Sequence, residues 1–469
     1  MKAAGVVLAA GLGKRMNSSL PKVLHAIQGS SMLQHVLNTL REITPQKIVV
    51  IVGKNAADII SSVKKPESVS FVYQKIARGT GDALSKALPS LRGLGATVIV
   101  VNGDTPLVNA HTLRRFLGLH RRKGNDLSLL SFSAGNPGSY GRIIRNDRGE
   151  VLSVIEDRDA TKEQKSITEV NSGVYAIEPE VLHLLKEIKL NERKGEYYLT
   201  DIVHIAKSRG LKVHAFMIGS EEEFLGVNTP VELDRARKLM KKRVINKWSG
   251  RGVNFIDENT VFISPEVKIG KGATIYPNVH LEGFTRLGKE CTIFPNVRIN
   301  NSVLEDRVVI KDSTVIEDSV IKKGGAVGPF AHIRPGSEIG SGVKIGNFVE
   351  VKKSVIGTGT KASHLSYIGD AKIGRDVNIG AGTITCNYDG RIKHTTTIED
   401  GVFIGSDSQL IAPVKLGKGA YVGAGSTITR DVPSKALAVS RAAQRNIEGW
   451  AVKRQLKVKS EKLKRKRDK

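Results

Sequence analysis

Ile263-Ser264-Pro265-Glu266-Val267-Lys268-Ile269-Gly270-Lys271-Gly272-Ala273-Thr274-Ile275 decides the fold of the C-terminal part of this chain. Its isoleucines stand six residues apart, and the comb continues through Leu281, Leu287, Ile293 and Ile299. It returns at Ile321, Val327, Ile333, Ile339, Ile345 and Val351, and again at Ile398, Ile404, Leu410, Leu416, Val422 and Ile428. Neither a 3.6-residue helix nor a two-residue strand has that period. A parallel β-helix does, each hexamer giving a short strand, a turn and one inward aliphatic side chain. Regular hexamers carry little chemistry, so the informative places are the slips. One, from Ile299 to Leu304, reads as a loop. The other runs from Val351 to Ile398, where Ile356, Ile368, Ile373 and Ile379 share no phase and Lys352, His364, Tyr367, Asn378, Asn387 and Tyr388 gather.

A chain of 469 residues predicts two or more domains. Its net charge of +27 favours anionic partners: phosphates, nucleic acid or a membrane surface. Part of that charge is the tail 453–469, which reads as a solvated, disordered end, with anchoring to an anionic polymer as the sharper alternative. Two cysteines, Cys291 and Cys386, suit a reducing compartment rather than a disulfide framework. The apolar start Ala3-Ala4-Gly5-Val6-Val7-Leu8-Ala9-Ala10 runs straight into Gly11-Leu12-Gly13-Lys14-Arg15 and reads as a buried first strand, not a signal peptide. No apolar run approaches the roughly 20 residues that span a bilayer, so a cytoplasmic protein is expected.

Residues 1–229 alternate strand and helix. Strands are expected at 4–9, 47–52, 70–73, 97–101 and 127–132, with helices at 32–42, 55–62, 79–89 and 111–120. That alternation predicts an α/β, Rossmann-like domain with ligands at the carboxyl ends of its parallel strands. The first strand enters a Gly-x-Gly turn carrying Lys14 and Arg15, with Lys22 close behind. Such a turn can cradle phosphates through its N–H groups or simply reverse the chain; it is neither a Walker loop nor a full Gly-x-Gly-x-x-Gly. The strand at 97–101 delivers Asp104, which either holds a hard cation bridging phosphates or closes a turn. Thr229-Pro230-Val231-Glu232 then starts a helix: capping Thr, Pro at the first helical position and Glu three residues after the cap. Its basic residues Arg235, Arg237, Lys238, Lys241, Lys242 and Arg243 read as a solvated face.

The order of Leu8-Ala9-Ala10-Gly11-Leu12-Gly13-Lys14-Arg15-Met16, Leu20-Pro21-Lys22-Val23-Leu24, Gln74, Gly79-Thr80, Asn102-Gly103-Asp104, Tyr140-Gly141-Arg142, Glu156, Asn171-Ser172-Gly173 and Gly226-Val227-Asn228 resembles the sugar-1-phosphate nucleotidylyltransferases. The resemblance implies that Leu8, Ala9, Ala10, Gly11, Arg15 and Lys22 cradle the nucleoside triphosphate. It implies that Gln74, Gly79 and Thr80 read uracil, that Gly141, Glu156 and Asn171 hold the sugar, and that Asp104 and Asn228 bind Mg²⁺, Asn228 also touching substrate. Ser139, Arg78 and Asp82 depart from the family pattern; where Asp82 stands, His is common.

A second set of motifs lies in the coil: Arg334-Pro335-Gly336, Asn347-Phe348-Val349-Glu350-Val351-Lys352-Lys353, His364-Leu365-Ser366-Tyr367-Ile368-Gly369-Asp370, Asn378-Ile379-Gly380-Ala381-Gly382-Thr383 and Cys386-Asn387-Tyr388-Asp389-Gly390, with Ser406, Ala424 and Ser440-Arg441. With the N-terminal half, these resemble the bacterial bifunctional UDP-N-acetylglucosamine pyrophosphorylase/glucosamine-1-phosphate N-acetyltransferases over nearly the whole chain. The resemblance implies a left-handed β-helix, a homotrimer, and four segments: a nucleotidylyltransferase domain at 1–229, a linker helix at 230–249, an acetyltransferase domain at 250–452 and the basic tail. It implies that Arg334, Lys352, Tyr367 and Asn378 bind the amino-sugar phosphate, and that Ala381, Asn387, Tyr388, Ser406, Ala424 and Arg441 contact acetyl-CoA.

The chemistry fits. Glucosamine-1-phosphate must present a neutral amine to a thioester, which needs a general base, and His is the natural choice near neutral pH. His364 takes that role. N-Acetylglucosamine-1-phosphate would then attack the α-phosphorus of UTP and release pyrophosphate, without a side-chain nucleophile. The resemblance implies that the product feeds peptidoglycan and lipopolysaccharide synthesis. An alternative keeps only the nucleotidylyltransferase, with the coil as an oligomerisation module; the intact His364 motif counts against it. A non-enzymatic, nucleic-acid-binding assembly would let Gly11, Arg15, Lys22, Asp104 and Asn228 erode, and all are present.

Overall fold

The computed structural model describes residues 3–11, 13–43, 47–63 and 69–467, apart from the side chains of Lys14 and residues 465–467. Leu12 of the glycine-rich loop lies outside the described residues. The chain forms two compact units, Met1–Arg251 with Phe262–Glu266, and Gly252–Val261 with Val267–Lys469.

In the first unit, Ala3–Ala9 is a central strand because Ala3, Ala4, Val6 and Val7 are sealed from solvent on both faces. It pairs in parallel with Lys47–Val52 on one side and Thr97–Asn102 on the other. Val69–Tyr73 extends the first side in parallel. On the second side Glu169–Ile177 runs antiparallel to both Thr97–Asn102 and Leu127–Ser133. Val213–Met217 closes the edge. Helices Met32–Glu42, Ala56–Ser62, Thr80–Leu91 and Ala110–Lys123 fall where the sequence pattern places them. The strand order therefore reverses beside Ala3–Ala9, and the loops after that strand and after Thr97–Asn102 flank the switch point.

Helix Pro230–Ser249 has the expected start. Thr229 Oγ1 accepts from Glu232 N–H at 3.2 Å, and Glu232 Oε2 accepts from Thr229 N–H at 2.8 Å. Leu233, Ala236, Met240, Val244, Ile245 and Trp248 form its buried stripe. Arg235, Arg237, Lys238 and Lys242 are exposed, while Arg243 donates to the Leu107 carbonyl at 2.7 Å.

The second unit is a coil of three parallel sheets. Inward residues stack in columns: Ile275, Ile293, Ile310, Val327 and Ile345 on one sheet, Leu281, Ile299, Ile316, Ile333 and Val351 on the next. Leu287, Leu304, Ile321, Ile339 and Ile356 stack on the third. Hexapeptide-repeat sheets of this kind are consistent with a left-handed β-helix.

The slip from Ile299 to Leu304 is not a loop. Val303–Leu304 is a regular strand, and the corner before it is one residue shorter. The same shortening separates Ile316 from Ile321, Val351 from Ile356 and Ile368 from Ile373. Each short corner carries a non-glycine residue at positive φ: Asn301 (47°), Asp318 (42°), Lys353 (45°) or Asp370 (49°). Ser302, Ser319 and Ser354 follow, their hydroxyls donating to the carbonyls of Asn300, Glu317 and Lys352. The long slip is two such corners plus one excursion, because Ile373 pairs directly with Ile398. The extra residues form a loop pinned by a bridge between Tyr388 and Lys393.

The tail corrects one expectation. Trp450–Arg467 is an α-helix, not disordered chain, and every described side chain on it is exposed. Lys, Arg, Gln and Leu are good helix formers, so high charge alone does not abolish local structure. No helix among the described residues is long and apolar enough to cross a membrane.

Candidate functional site

At the carboxyl ends of the central strands a cleft of ≈ 630 Å³ is lined by Leu8, Ala9, Ala10, Gly11, Lys22, Gln74, Gly79, Thr80, Asp104 and Glu156. The sequence reading names all ten. Gly13 is required there: at φ 61° any Cβ would stand 2.7 Å from Lys22 Cβ, so the glycine lets Lys22 lean in. The Lys22 ammonium bonds Asp104 Oδ2 and, at 3.1 Å, Asn228 Oδ1. Two hard oxygen donors from distant segments thus converge on one cation.

Gly79 takes φ 92°, where a Cβ would meet the Tyr197 carbonyl oxygen at 2.6 Å. Tyr197 O accepts from Gly81 N–H at 2.8 Å, and Thr80 Oγ1 accepts from Leu199 N–H at 3.0 Å. This docking brings Glu196 and Tyr198 into the cleft lining. The sequence reading missed both, since they sit in an irregular segment with no periodicity. On the sugar side, Asn171 N–H donates to Gly141 O at 2.8 Å, and Asn171 Nδ2 to the Tyr175 hydroxyl at 2.8 Å. Burial, partly offset by a 3.0 Å bond from Thr200 Oγ1, pushes the Glu156 carboxyl above its usual range. Arg15 is exposed, carries no ion pair among the described residues and does not line the cleft.

A buried carboxylate with a raised pKa costs stability once ionised. The Glu156 contribution is fully present below the unfolded value near 4.5 and is lost as pH rises through the folded value. Glu156→Gln is therefore expected to raise the melting temperature of this unit at pH 7, with the gain vanishing towards pH 4.5. Melts at the two pH values check it.

In the coil the remaining residues fall into two clusters. His364 opens one, at a corner. Its Nδ1 lies 2.6 Å from Asn347 Oδ1, so Nδ1 carries the proton and donates it, leaving the Nε2 lone pair open. Below it the same corner repeats turn by turn: Gly382 N–H donates to Leu365 O, Asp407 N–H to Ala381 O and Gly425 N–H to Ser406 O. Arg441 closes the column with a bond from its guanidinium to Ala424 O. Ala381, Ser406, Ala424 and Arg441 thus form one file beneath His364.

The second cluster stands on the outer face of the adjoining sheet. Arg334 donates to Glu350 Oε1 at 2.6 Å, Glu350 pairs in register with Tyr367, and Lys352 pairs with Gly369. A Cβ at Gly369 would collide with the Tyr367 hydroxyl and stand 2.8 Å from Asn387 Nδ2, so the glycine admits both. Buried Asn387 bonds Asp370. It belongs with this cluster rather than with the file under His364, as does exposed Tyr388, which begins the adjoining loop. Lys393, from the loop, lies against Lys352; its charge, with that of Arg334, holds the Lys352 ammonium below the usual lysine range. Three cations thus crowd together here, one of them, Arg334, paired to Glu350. Lys393 and Asn347 were not among the sequence candidates. Asn378 is not brought to the cluster: it lies on another sheet, between Lys361 and Phe403.

Among the described residues no group of three or more His, Cys, Asp or Glu converges on a metal-sized site. Asp104 and Asn228 remain the one donor pair that the sequence reading proposes for a divalent ion.

Residues 5–172 match the MobA-like NTP transferase domain, residues 257–337 the GMPPB C-terminal domain, and residues 395–430 the bacterial transferase hexapeptide with six repeats. The chain is 49% identical over 449 residues to the Bifunctional protein GlmU of Thermodesulfovibrio yellowstonii, covering 96% of this chain and 99% of that one. It is 45% identical over 450 residues to that of Halalkalibacterium halodurans, covering 96% and 98%. It is likewise 45% identical over 450 residues to that of Caldanaerobacter subterraneus, covering 96% and 97%. Each match runs through both units described above. The chain belongs to the bifunctional GlmU family.

Proposed function

We propose that the two structural units divide the work of a two-step enzyme. The chain is a glucosamine-1-phosphate N-acetyltransferase and a UDP-N-acetylglucosamine diphosphorylase. The coil performs the first step and the α/β unit the second. The observation that carries the second assignment is the convergence of Asp104 and Asn228 on one cation at the switch point of the sheet.

In the α/β unit, backbone N–H groups of the loop at Ala10 and Gly11 would face the triphosphate, with Lys22 beside them and Arg15 free to approach from solvent. Asp104 and Asn228 offer the hard oxygen ligands that suit Mg²⁺. When bound, Mg²⁺ neutralises phosphate charge and favours departure of pyrophosphate. A phosphate oxygen of N-acetylglucosamine-1-phosphate bonds the α-phosphorus of UTP as the bond to the β-phosphate bridge breaks. Glu156 accepts a sugar hydroxyl, and Asn171 and Gly141 shape that end.

In the coil, the Arg334, Lys352 and Lys393 cations hold the phosphate of glucosamine-1-phosphate. Ala381, Ser406, Ala424 and Arg441 seat acetyl-CoA along their file. His364 Nε2 takes the proton from the amine as nitrogen attacks the thioester carbonyl and CoA leaves as the thiol. Asn347 fixes the tautomer that makes this possible. His364 and the cation cluster stand at different places on a single chain. An apolar ridge supports completion of the site by neighbouring chains: Phe330 and Phe348 are 53% and 56% exposed, stack 5.5 Å apart, and are followed by exposed Leu365. A homotrimer, with acetyl-transfer sites between subunits, accounts for that ridge.

The tail lies outside both clusters. Deleting residues 453–469 is expected to leave CoA release and pyrophosphate release unchanged; assays of the truncated chain check it, and a collapse of acetyl transfer would place the tail in the site. Separate assays of the two half-reactions test the division of labour.

A further inference from the structure

Gln74 sits at the end of Val69–Tyr73, 3% exposed, with its backbone N–H continuing the sheet to Val52 O at 2.8 Å. Its side-chain Nε2 donates to Asp82 Oδ2 at 2.7 Å and to Gly79 O at 3.2 Å. Both partners are pure acceptors: one is a carboxylate, the other a backbone carbonyl. Only the NH₂ end of the amide can face them, so the network itself settles which end points where. Gln74 Oε1 makes no hydrogen bond among the described residues, and Gln74 lines the nucleotide cleft. Asp82 is itself held in place. It stands in the first turn of helix Thr80–Leu91, where the helix dipole favours negative charge, and Lys86 pairs with it one turn on at 3.1 Å.

We propose that Asp82 is a positioning residue that selects the base by locking the Gln74 amide with Oε1 presented to the cleft. This rests on the reading of the cleft as the nucleotide site in which Gln74 meets the base. A uracil ring offers an N3–H donor to that oxygen. A cytosine ring offers a bare N3 lone pair at the same place and is repelled. Thymine shares the N3–H of uracil, so this device does not separate those two. A rotated amide would present NH₂ instead and welcome cytosine. Asp82, unable to donate, forbids the rotation.

The test uses the full chain with N-acetylglucosamine-1-phosphate and Mg²⁺, reading pyrophosphate release with UTP, dTTP and CTP. Asp82→Ala is expected to lower the UTP:CTP ratio of kcat/KM about tenfold, the worth of one orienting hydrogen bond, while the UTP:dTTP ratio stays fixed. Asp82→Asn, isosteric and gentler on folding, can turn either end of its own amide to Gln74 and is expected to lose about threefold. Acetyl transfer by the same samples reports that the chain is folded. Equal losses with UTP and CTP would make Asp82 merely structural and overturn the proposal. Unchanged UTP:CTP ratios in both Asp82 variants, with a ratio that falls in Gln74→Ala, would also overturn it while sparing the nucleotide site. An unchanged ratio in Gln74→Ala as well would instead remove the reading on which it rests.

Discussion

His364→Ala is expected to lower CoA release from acetyl-CoA and glucosamine-1-phosphate by about 10²–10⁴-fold, the usual worth of a general base. Pyrophosphate release from UTP and N-acetylglucosamine-1-phosphate should keep its wild-type rate. The imidazole has one nitrogen committed to Asn347 Oδ1 at 2.6 Å, so a single lone pair is aimed outward for the amine proton. Alanine removes that base and leaves the file from Ala381 to Ala424 intact, since the file is held by backbone bonds. KM for acetyl-CoA should therefore change little. Loss of both activities, or of neither, would contradict the two-site assignment. Asn347→Ala should show a smaller loss in the same step, because it frees the ring without deleting it.

The converse is expected for Asp104→Ala. Asp104 and Asn228 both turn an oxygen to the Lys22 ammonium, and without the Asp104 carboxylate a Mg²⁺ ion bound at this pair would keep only the neutral Asn228 amide as a ligand. Stabilisation of charge in crowded phosphate chemistry is worth about 10²–10³-fold per well-placed group, and pyrophosphate release should fall by that order. Residual activity should need more Mg²⁺, so a titration separates lost metal affinity from general damage. Acetyl transfer should be untouched. Unchanged pyrophosphate release would remove Asp104 from the metal site.

Much of this was legible because the constraints are local. A six-residue comb can satisfy only a coil, and each of its aliphatics points inward where the pattern puts it. The slips were harder. Ile299 to Leu304 looked like a loop because the comb counts residues, whereas the sheet counts strands; Asn301-Ser302 turns the corner in one residue fewer by taking positive φ and folding the serine hydroxyl back. The excursion before Ile398 hid Lys393, whose significance appears only when the loop returns it to Lys352. Asp82 was visible as a departure, yet its partner Gln74 is brought to it by the helix start at Gly79, not by spacing. Asn378 and Lys352 occupy different sheets of one chain, so the place proposed for both at the amino-sugar phosphate requires a site shared between chains, which no reading of residue order displays. The tail's charge alone points to disorder, whereas its Lys, Arg, Gln and Leu residues favour the helix Trp450–Arg467 that forms.

The central claim is that one chain carries both reactions in series. Purified protein is mixed with glucosamine-1-phosphate, acetyl-CoA, UTP and Mg²⁺, and the products are identified by mass. UDP-N-acetylglucosamine, with free CoA and pyrophosphate, is the predicted outcome. Recovery of the nucleotide sugar only when N-acetylglucosamine-1-phosphate is supplied ready-made, with acetyl-CoA left unconsumed, would contradict it.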